Sequence, residues 1–281
     1  HQSGLLLDRI GKALDFATRG LSPDGNIYLP ITNFNSPPDT AFFVLSLAAA
    51  AFYARKFQAV EITKRIEPLL KRNAEALIKG GVHTPNHRWV ACSAMAQIHH
   101  LYPDPRLLRR IDQWLAEGID INDDGQYSEQ SVGGYSQICD RAFVVMAEKL
   151  KRPELLEPVR RNLNSLLHLL HPNHELVTEV SVRQDRGTRV SASLYYFPLK
   201  YMAVADRNGQ YEQVIRATGA KPWLGGLIEY PQLMTEVAPA PLPEDFEKQF
   251  PAIGITRIRR GKTSVTLHHK GNDQFLSFRR G

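Results

Sequence analysis

The sequence predicts a mainly α protein of antiparallel helix pairs, followed by the start of an antiparallel β domain. Three observations support this fold class. Apolar residues recur at helical spacing from the first residues to about residue 220. The connections between the predicted helices alternate between short and long, as in chains of antiparallel helix pairs. After about residue 250, apolar and polar residues alternate with the period of a β-strand.

Nine helices are predicted from apolar spacing and from the residues that begin and end them. Gly20 ends the first helix, Pro68 is expected to kink the third, and Asp104 with Pro105 begins the fifth. The chain of 281 residues, 43% of them hydrophobic, is long enough to bury a large core. The predicted helices cover roughly 6–19, 36–53, 60–78, 86–102, 105–117, 134–150, 153–170, 191–205 and 209–218.

The longer connections carry four polar clusters, at 33–40, 83–89, 123–135 and 178–186. Antiparallel pairing is expected to place these connections at one end of the helical region. Loops held by a rigid scaffold are where binding and catalytic groups concentrate. The clusters therefore predict a polar cleft, and their aromatic side chains are expected to offer flat surfaces to sugar rings. These aromatic residues are Trp89, Tyr127 and Tyr135.

Simpler interpretations of the same residues stay open. Asn86 has the position of a helix N-cap, and a lone histidine such as His87 is more often a surface residue than a catalyst. Glu129 has Arg183 or Arg186 as an ion-pair partner in a packed loop. The cysteine and histidine spacing predicts no zinc site, and the sequence has no phosphate-binding glycine loop or nucleophile elbow. No metal and no cofactor are therefore expected.

The last part of the chain predicts a β-hairpin. Residues 254–259 and 262–268 alternate in polarity on either side of the turn Arg260-Gly261, and a third strand begins at Gln274. Because three strands are marginal on their own, they either open a β domain that is incomplete here or pack on the helices. The predicted domains are a helical catalytic domain at 1–238, a proline-rich linker at 239–249 and the beginning of a β-sheet domain at 250–281.

Composition narrows the classes of partner. The formal net charge of +6 favours anionic partners, but the basic residues are scattered along the chain, which argues against nucleic acid. No apolar run is long enough to predict a membrane span. Cys92 and Cys139 are expected to be buried thiols or one disulfide. The sequence leaves the oligomeric state open.

Two motifs resemble a known family. The run Pro-Asn86-His87-Arg-Trp, with the later run Asp-Gly-Gln-Tyr-Ser-Glu129-Gln-Ser-Val-Gly-Gly-Tyr135, is similar to the heparinase II/III-like and alginate-lyase-like polysaccharide lyases. The order of helix pairs, proline linker and late strands extends the resemblance over nearly the whole chain. It implies an incomplete (α/α) toroid followed by β-sheet domains. It also implies a carbon–oxygen lyase that cleaves an acidic, uronic-acid-containing polysaccharide or oligosaccharide by β-elimination.

The resemblance implies roles for individual residues. Lyases of this kind remove the proton at C5, beside the uronate carboxylate, and expel the C4 oxygen. Asn86, with Arg88 or Arg183, is expected to stabilise the enolate-like state that develops. His87 and Tyr135 are expected to transfer the protons. The residues expected to bind the substrate are Arg88, Trp89, Tyr127, Glu129, Arg183, Gln184 and Asp39.

The resemblance leaves some assignments open. The family draws a further histidine from its β domain, for which His268 and His269 are the candidates here. A glycoside hydrolase on a similar toroid, such as an unsaturated glucuronyl hydrolase, is a second possible function. A non-catalytic carbohydrate-binding helical domain is a third. A polysaccharide substrate favours a secreted or periplasmic bacterial protein, and a cytoplasmic location stays open. The carboxylates available to a hydrolase are Asp39, Asp124, Glu129 and Asp185.

Overall fold

The computed structural model describes residues 2–29, 33–270 and 275–281, and in this part of the chain the protein is mainly helical, as predicted. All nine predicted helices are confirmed. The seventh and eighth are preceded by single 3₁₀ turns at Pro153–Leu156 and Ala192–Tyr195, and α10 was not predicted. The helices are α1 (Gln2–Arg19), α2 (Pro37–Lys56), α3 (Val60–Lys79), α4 (Pro85–Leu101), α5 (Pro105–Ala116), α6 (Ser136–Leu150), α7 (Glu157–Leu166), α8 (Tyr196–Asp206), α9 (Gly209–Thr218) and α10 (Leu224–Glu229).

Local chemistry accounts for several helix ends. The hydroxyl of Ser36 accepts a hydrogen bond from the backbone amide of Asp39 and so caps α2. The carboxylate of Asp104 accepts one from the amide of Arg106 at the start of α5, at 2.9 Å. Pro68 lies inside α3, as predicted.

The strands form two antiparallel sheets. A small sheet pairs β1 (Ile27–Leu29) with β2 (Asn33–Ser36). The predicted hairpin is confirmed, because the strands Ile255–Arg260 and Thr263–His268 pair in register and Gly261, in the turn between them, has a φ of 54°. Gln274, at the predicted start of the third strand, lies outside the described residues. The larger sheet has the order β3 (Asp245–Phe250), β4 (Ile255–Arg260), β5 (Thr263–His268) and β6 (Leu276–Arg280).

Tertiary contacts divide the chain into two compact units. The first comprises His1–Gly118 with Val145–Arg152, and in it α2 packs against α3 and α4. The second comprises Ile119–Val144 with Pro153–Gly281, and it contains the four-stranded sheet. Strand β3 occupies the end of the segment predicted as a linker. The predicted domain boundaries themselves stay a prediction.

A turn of one geometry precedes three helix pairs, α2–α3, α6–α7 and α8–α9. Within each turn a backbone hydrogen bond of 2.8–2.9 Å lies inside an antiparallel bridge. The residue two places before the end of each turn has a positive φ: 85° at Gly25, 76° at Gly125 and 63° at His174. One local turn geometry therefore recurs at three places along the chain. The bridged residues are Leu21 with Ile27, Ile121 with Tyr127, and Leu170 with Leu176.

In the first two turns the glycine packs against the second helix of its pair. The carbonyl oxygen of Gly25 accepts a hydrogen bond from the Asn73 amide in α3, and that of Gly125 accepts one from the Asn162 amide in α7, both at 2.8 Å. A Cβ on either glycine would collide with the carbonyl oxygen of the arginine before that asparagine. The positive φ and the close approach both require glycine.

The third turn packs against the sheet. The imidazole Nδ1 of His171 lies 3.0 Å from the hydroxyl of Ser264 in β5. The fully buried guanidinium of Arg257 donates to the Leu170 carbonyl at 3.2 Å and to the Thr266 hydroxyl at 2.6 Å. Of the two expectations for the late strands, packing on the helical region is the one that these contacts support.

Candidate active site

Four residues that were predicted to act on a substrate lie together in the second unit, and we call them the Tyr135 cluster. The phenol of Tyr135 donates a hydrogen bond of 3.1 Å to the side-chain oxygen of Gln184. The guanidinium carbon of Arg183 lies 5.3 Å from the centre of the Tyr135 ring. The Nε of Arg183 lies 3.4 Å from a carboxylate oxygen of the buried Glu129. The run at 129–135 and the run at 183–184 therefore meet.

The Tyr135 cluster has donors to offer to an anion. Within the described ranges, the contact of Arg183 with Glu129 is made through the Nε, and the Nη nitrogens have no hydrogen bond assigned to them. The Gln184 side chain is exposed and accepts from Tyr135 through its oxygen, which leaves its NH₂ group directed to solvent or ligand. A phenol, a guanidinium and an amide thus lie at one accessible place.

Asp185 joins the two loops that carry this cluster. One of its carboxylate oxygens accepts from the hydroxyls of Ser131, at 2.8 Å, and Ser181, at 2.5 Å. The other accepts from the backbone amide of Gly133 at 2.8 Å. The Ser131 hydroxyl in turn accepts from the amide of Tyr135 at 3.0 Å, just before α6 begins. The carboxylate therefore positions the backbone of the candidate catalytic residue.

His268, at the end of β5, is the more suitable of the two candidate histidines from the sheet. Its Nε2 is buried and has no hydrogen-bond partner in the part of the chain that the structure describes. Burial lowers the pKa of His268, Glu179 raises it, and Arg186 lowers it further. The Nε2 of His269 is instead 2.8 Å from the hydroxyl of Thr256. A neutral imidazole is suited to accept a proton, and this nitrogen has no partner among the described residues to compete for one.

The first unit contains the predicted residues at the start of α4. Asn86 is buried and donates to the hydroxyl of Thr84 at 3.3 Å. The ring centre of His87 lies 4.8 Å from that of His83, with the two rings edge to face. Arg88 forms an ion pair of 2.9 Å with Glu117 and lines a surface cavity of about 270 Å³. Within this unit the motif therefore lies beside an accessible depression.

Two predicted stacking residues require correction. Trp89 is 0% exposed and Tyr127 is 2% exposed, so neither offers a ring face to a sugar. Tyr127 ends the second of the recurring turns, its hydroxyl donates to the buried Asp140 at 2.9 Å, and its ring stacks on Phe143. The guanidinium carbon of Arg88 covers the Trp89 ring at 4.3 Å from its centre. Both rings are core residues.

Two further residues have structural roles that the sequence did not separate from function. Asn86 is the second residue of α4 and Thr84 is its N-cap, so the interpretation of Asn86 as the N-cap is wrong. Asp39 lies in the first turn of α2, where its carboxylate accepts a hydrogen bond from the hydroxyl of the N-cap residue Ser36. That contact accounts for Asp39 without a substrate.

The carboxylates that a hydrolase needs are engaged in the second unit. A carboxylate oxygen of Asp124 accepts from the backbone amide of Ile253 at 2.9 Å. Asp185 holds the two loops together, and Glu129 faces Arg183. Each of these three carboxylates therefore lies against a protein group within the described residues, and the hydrolase stays an alternative.

Three further features concern metal binding, membrane insertion and the cysteines of the described residues. No group of three or more His, Cys, Asp or Glu is placed to hold a metal ion. None of the helices combines the length and apolar character of a membrane span. Cys92 and Cys139 are both buried and free, so the expectation of thiols is confirmed over that of a disulfide.

Comparison with protein-family models, with curated proteins and with solved structures finds no match to the chain.

Sequence reasoning missed the hydroxyls that organise the Tyr135 cluster. Ser131 and Ser181 each lie inside a polar cluster that was identified, but nothing in their local pattern distinguishes a loop-positioning serine from a surface one. The residue that could have indicated this arrangement is Asp185. Its carboxylate contacts Ser181 in its own loop and Ser131 in the other loop, and the second contact requires the two loops to meet.

Proposed function

We propose that the protein is a polysaccharide lyase that cleaves an acidic, uronic-acid-containing polysaccharide or oligosaccharide by β-elimination. The Tyr135 cluster is the observation that carries the proposal. Tyr135, Gln184, Arg183 and Glu129 come from two distant segments, and they meet at an accessible place. A phenol beside a guanidinium and an amide is a suitable set of groups for proton transfer next to a carboxylate.

The reaction requires two proton transfers and one neutralised charge. A base takes the proton from C5, the electrons of that bond form the C4–C5 double bond, the C4–O bond breaks, and the leaving oxygen receives a proton. Tyr135 takes part in proton transfer, and Gln184 orients its hydroxyl. The open Nη donors of Arg183 stabilise the charge that develops on the uronate carboxylate, which is the principle of an oxyanion hole.

The resemblance also implies roles for the motif of the first unit, and we propose these for that unit by itself. Asn86 is the neutral amide donor of this proposal, which requires its amide to exchange the hydrogen bond to Thr84 for one to a ligand, and His87 is the proton-transfer group. Arg88 contributes charge at the edge of the cavity, although its ion pair with Glu117 reduces the charge that it offers. In the second unit, His268 is the proton-transfer group that the sheet supplies in this proposal.

An (α/α) toroid is part of this proposal, and the recurring turns support it. Three helix pairs follow turns with the same bridge, the same closing hydrogen bond and the same positive φ. Repeated helix pairs stack to bury a continuous core. After the second and third turns, the segment before the next helix carries four of the predicted site residues, which are Glu129, Tyr135, Arg183 and Gln184. A polysaccharide substrate also favours a secreted or periplasmic location, because polysaccharides are found there.

The test is the ultraviolet absorbance of an unsaturated uronate, measured over a panel of acidic polysaccharides without added metal or nucleotide. We expect Tyr135→Phe to lower the rate by at least about 100-fold, because general acid–base catalysis contributes on that scale. The matched control is Tyr28→Phe, which removes an exposed phenol from the first unit and is expected to leave the rate within about twofold.

Other outcomes identify the alternatives. Retention of the absorbance signal in Tyr135→Phe contradicts the assignment of the cluster. Release of sugars without new absorbance indicates a hydrolase. Retention of the polysaccharide with neither reaction indicates a carbohydrate-binding domain.

A further inference from the structure

The second unit contains a pocket that is lined by none of the four residues of the Tyr135 cluster. Its volume is about 440 Å³, and its walls come from α6, from the start of α8 and from the segment before α10. The residues that matter here are Gln137, Arg141, Phe197, Lys221 and Trp223. The function proposed above does not use any of them.

One wall of the pocket is aromatic and held in place. The ring centres of Phe197 and Trp223 lie 5.6 Å apart, and those of Phe197 and Tyr230 lie 5.1 Å apart, both edge to face. A Cβ at Gly226 would lie 2.6 Å from the indole, so the α10 backbone fits against Trp223 only because this residue is glycine. Trp223 remains 41% exposed. The Trp223 ring is therefore partly exposed while Phe197 and the backbone of α10 pack against it and hold its position.

The edge of the pocket carries positive charge. The guanidinium carbon of Arg141 lies 5.8 Å from the ring centre of Trp223 and 6.0 Å from that of Phe197. Arg141 and Lys221 are exposed, and within the described ranges neither forms an ion pair with a carboxylate. The two cations thus line a pocket with an aromatic wall and have no carboxylate partner among the described residues.

We propose that this pocket binds an anionic sugar residue of the substrate, with the ring on Trp223 and the carboxylate at Arg141 and Lys221. Aromatic faces suit the C–H surface of a pyranose, and a guanidinium forms paired hydrogen bonds with a carboxylate. Gln137, two residues after Tyr135, supplies an amide at the pocket wall. The pocket holds the chain, and no bond forms or breaks there. The choice of a uronate rests on the proposed function.

Tryptophan fluorescence tests the pocket selectively. Of the three tryptophans, Trp89 is 0%, Trp114 5% and Trp223 41% exposed, so acrylamide quenches mainly Trp223. Titration with a short oligouronide, in the wild-type chain and in Tyr135→Phe, is expected to protect Trp223 saturably. The same oligosaccharide with its carboxyls reduced to alcohols is expected to protect it at least about tenfold more weakly.

Variants locate the effect. Arg141→Gln is expected to weaken the binding of the oligouronide about tenfold, since one charge-assisted contact is lost. Lys262→Gln removes the same charge from the turn between β4 and β5 and is expected to bind like the wild type. Absence of protection, equal protection by the reduced sugar, or unchanged binding in Arg141→Gln would overturn the proposal.

The failures of the two proposals are distinguishable. If no acidic polysaccharide yields an unsaturated product while Trp223 is still protected, the lyase proposal fails and the binding pocket stands. If product forms and Trp223 stays accessible, the lyase proposal stands and the binding pocket fails.

Discussion

His268 differs from His269 in that its Nε2 has no hydrogen-bond partner in the described residues. Burial lowers the pKa of His268, so its imidazole is neutral at pH values where an ordinary histidine is half charged. A neutral imidazole is able to take the C5 proton. His269, whose Nε2 contacts the hydroxyl of Thr256, provides a natural comparison.

We expect His268→Gln to lower the lyase rate by about 100-fold, the scale of a lost acid–base group, and His269→Gln to change it little. In the wild type the rate is expected to fall on the acid side of pH 6.5 as His268 becomes protonated, since its pKa lies below 6.5. This acid limb should be missing from the residual activity of His268→Gln. Equal effects of the two variants would assign no proton transfer to His268.

Asp185 is the residue on which the geometry of the Tyr135 cluster depends most. In Asp185→Asn an NH₂ group replaces one of the oxygens that accept from Ser131, Ser181 and Gly133. We expect a loss of about 1–3 kcal/mol in the free energy of unfolding, measured by denaturant titration. A lower lyase rate should accompany it. Asp123→Asn, at a fully exposed carboxylate 4.0 Å from Arg161, should change neither quantity.

At the residue scale, the sequence identified the right segments but not the orientation of each side chain. Tyr127 and Tyr135 lie in one polar run, yet the first is buried on Asp140 and the second is accessible. The difference arises from the recurring turn, which ends at Tyr127 and directs that ring into the core. A loop has no periodicity from which burial can be read, so only the folded turn separates them.

At the scale of elements, Glu179 joins a helical loop to the sheet. Its carboxylate is buried, accepts from the Ser277 hydroxyl of β6 at 2.5 Å and lies 3.4 Å from the Nε2 of His171. Burial by itself raises the pKa of Glu179, but hydrogen bonds from His171, Ser277 and the backbone outweigh it, and the pKa falls to about 2 from an ordinary 4.5. The ionised form is therefore the one that the fold stabilises.

The sign of the pH effect follows. Because the folded pKa of Glu179 lies below the unfolded one, its contribution is fully present above about pH 4.5 and is lost as the pH falls toward 2. We expect Glu179→Gln to lower the free energy of unfolding at neutral pH by an amount on the order of 3 kcal/mol. It should also flatten the decline between these two pH values.

Denaturant titrations at several pH values measure this difference. Glu236→Gln, at an exposed position, should follow the wild-type curve. An acid limb that is as steep in Glu179→Gln as in the wild type would show that Glu179 does not link the sheet to acid stability.

Helices and the hairpin were predictable because their signals are local. The caps Ser36 and Asp104, and the apolar spacing between caps and glycines, define the helices without tertiary information. Strand β3 was not predictable in the same way, because Asp245–Phe250 has charged residues at half its positions and follows three prolines. It becomes a strand by pairing with β4.

At the scale of the whole molecule, one turn geometry recurs in both compact units. The turns at Gly25 and Gly125 each approach an arginine–asparagine pair in the following helices, and the third turn replaces those helix contacts with contacts to the sheet. The sequence gives little indication of this recurrence. The residues that the first two turns share are a glycine and a distant asparagine, and the helices between them are long and dissimilar. The backbone geometry makes it evident.

The lyase proposal concerns this whole chain, and its most direct test is the fate of water in the reaction. An acidic polysaccharide that the protein degrades is digested in water labelled with heavy oxygen, and the products are weighed by mass spectrometry while the ultraviolet absorbance is recorded. Elimination adds no water, so we predict products that absorb and whose summed mass equals that of the substrate, apart from slow exchange of label into the reducing-end hydroxyl. Products that carry one heavy oxygen at each new end and do not absorb would contradict the account and establish hydrolysis.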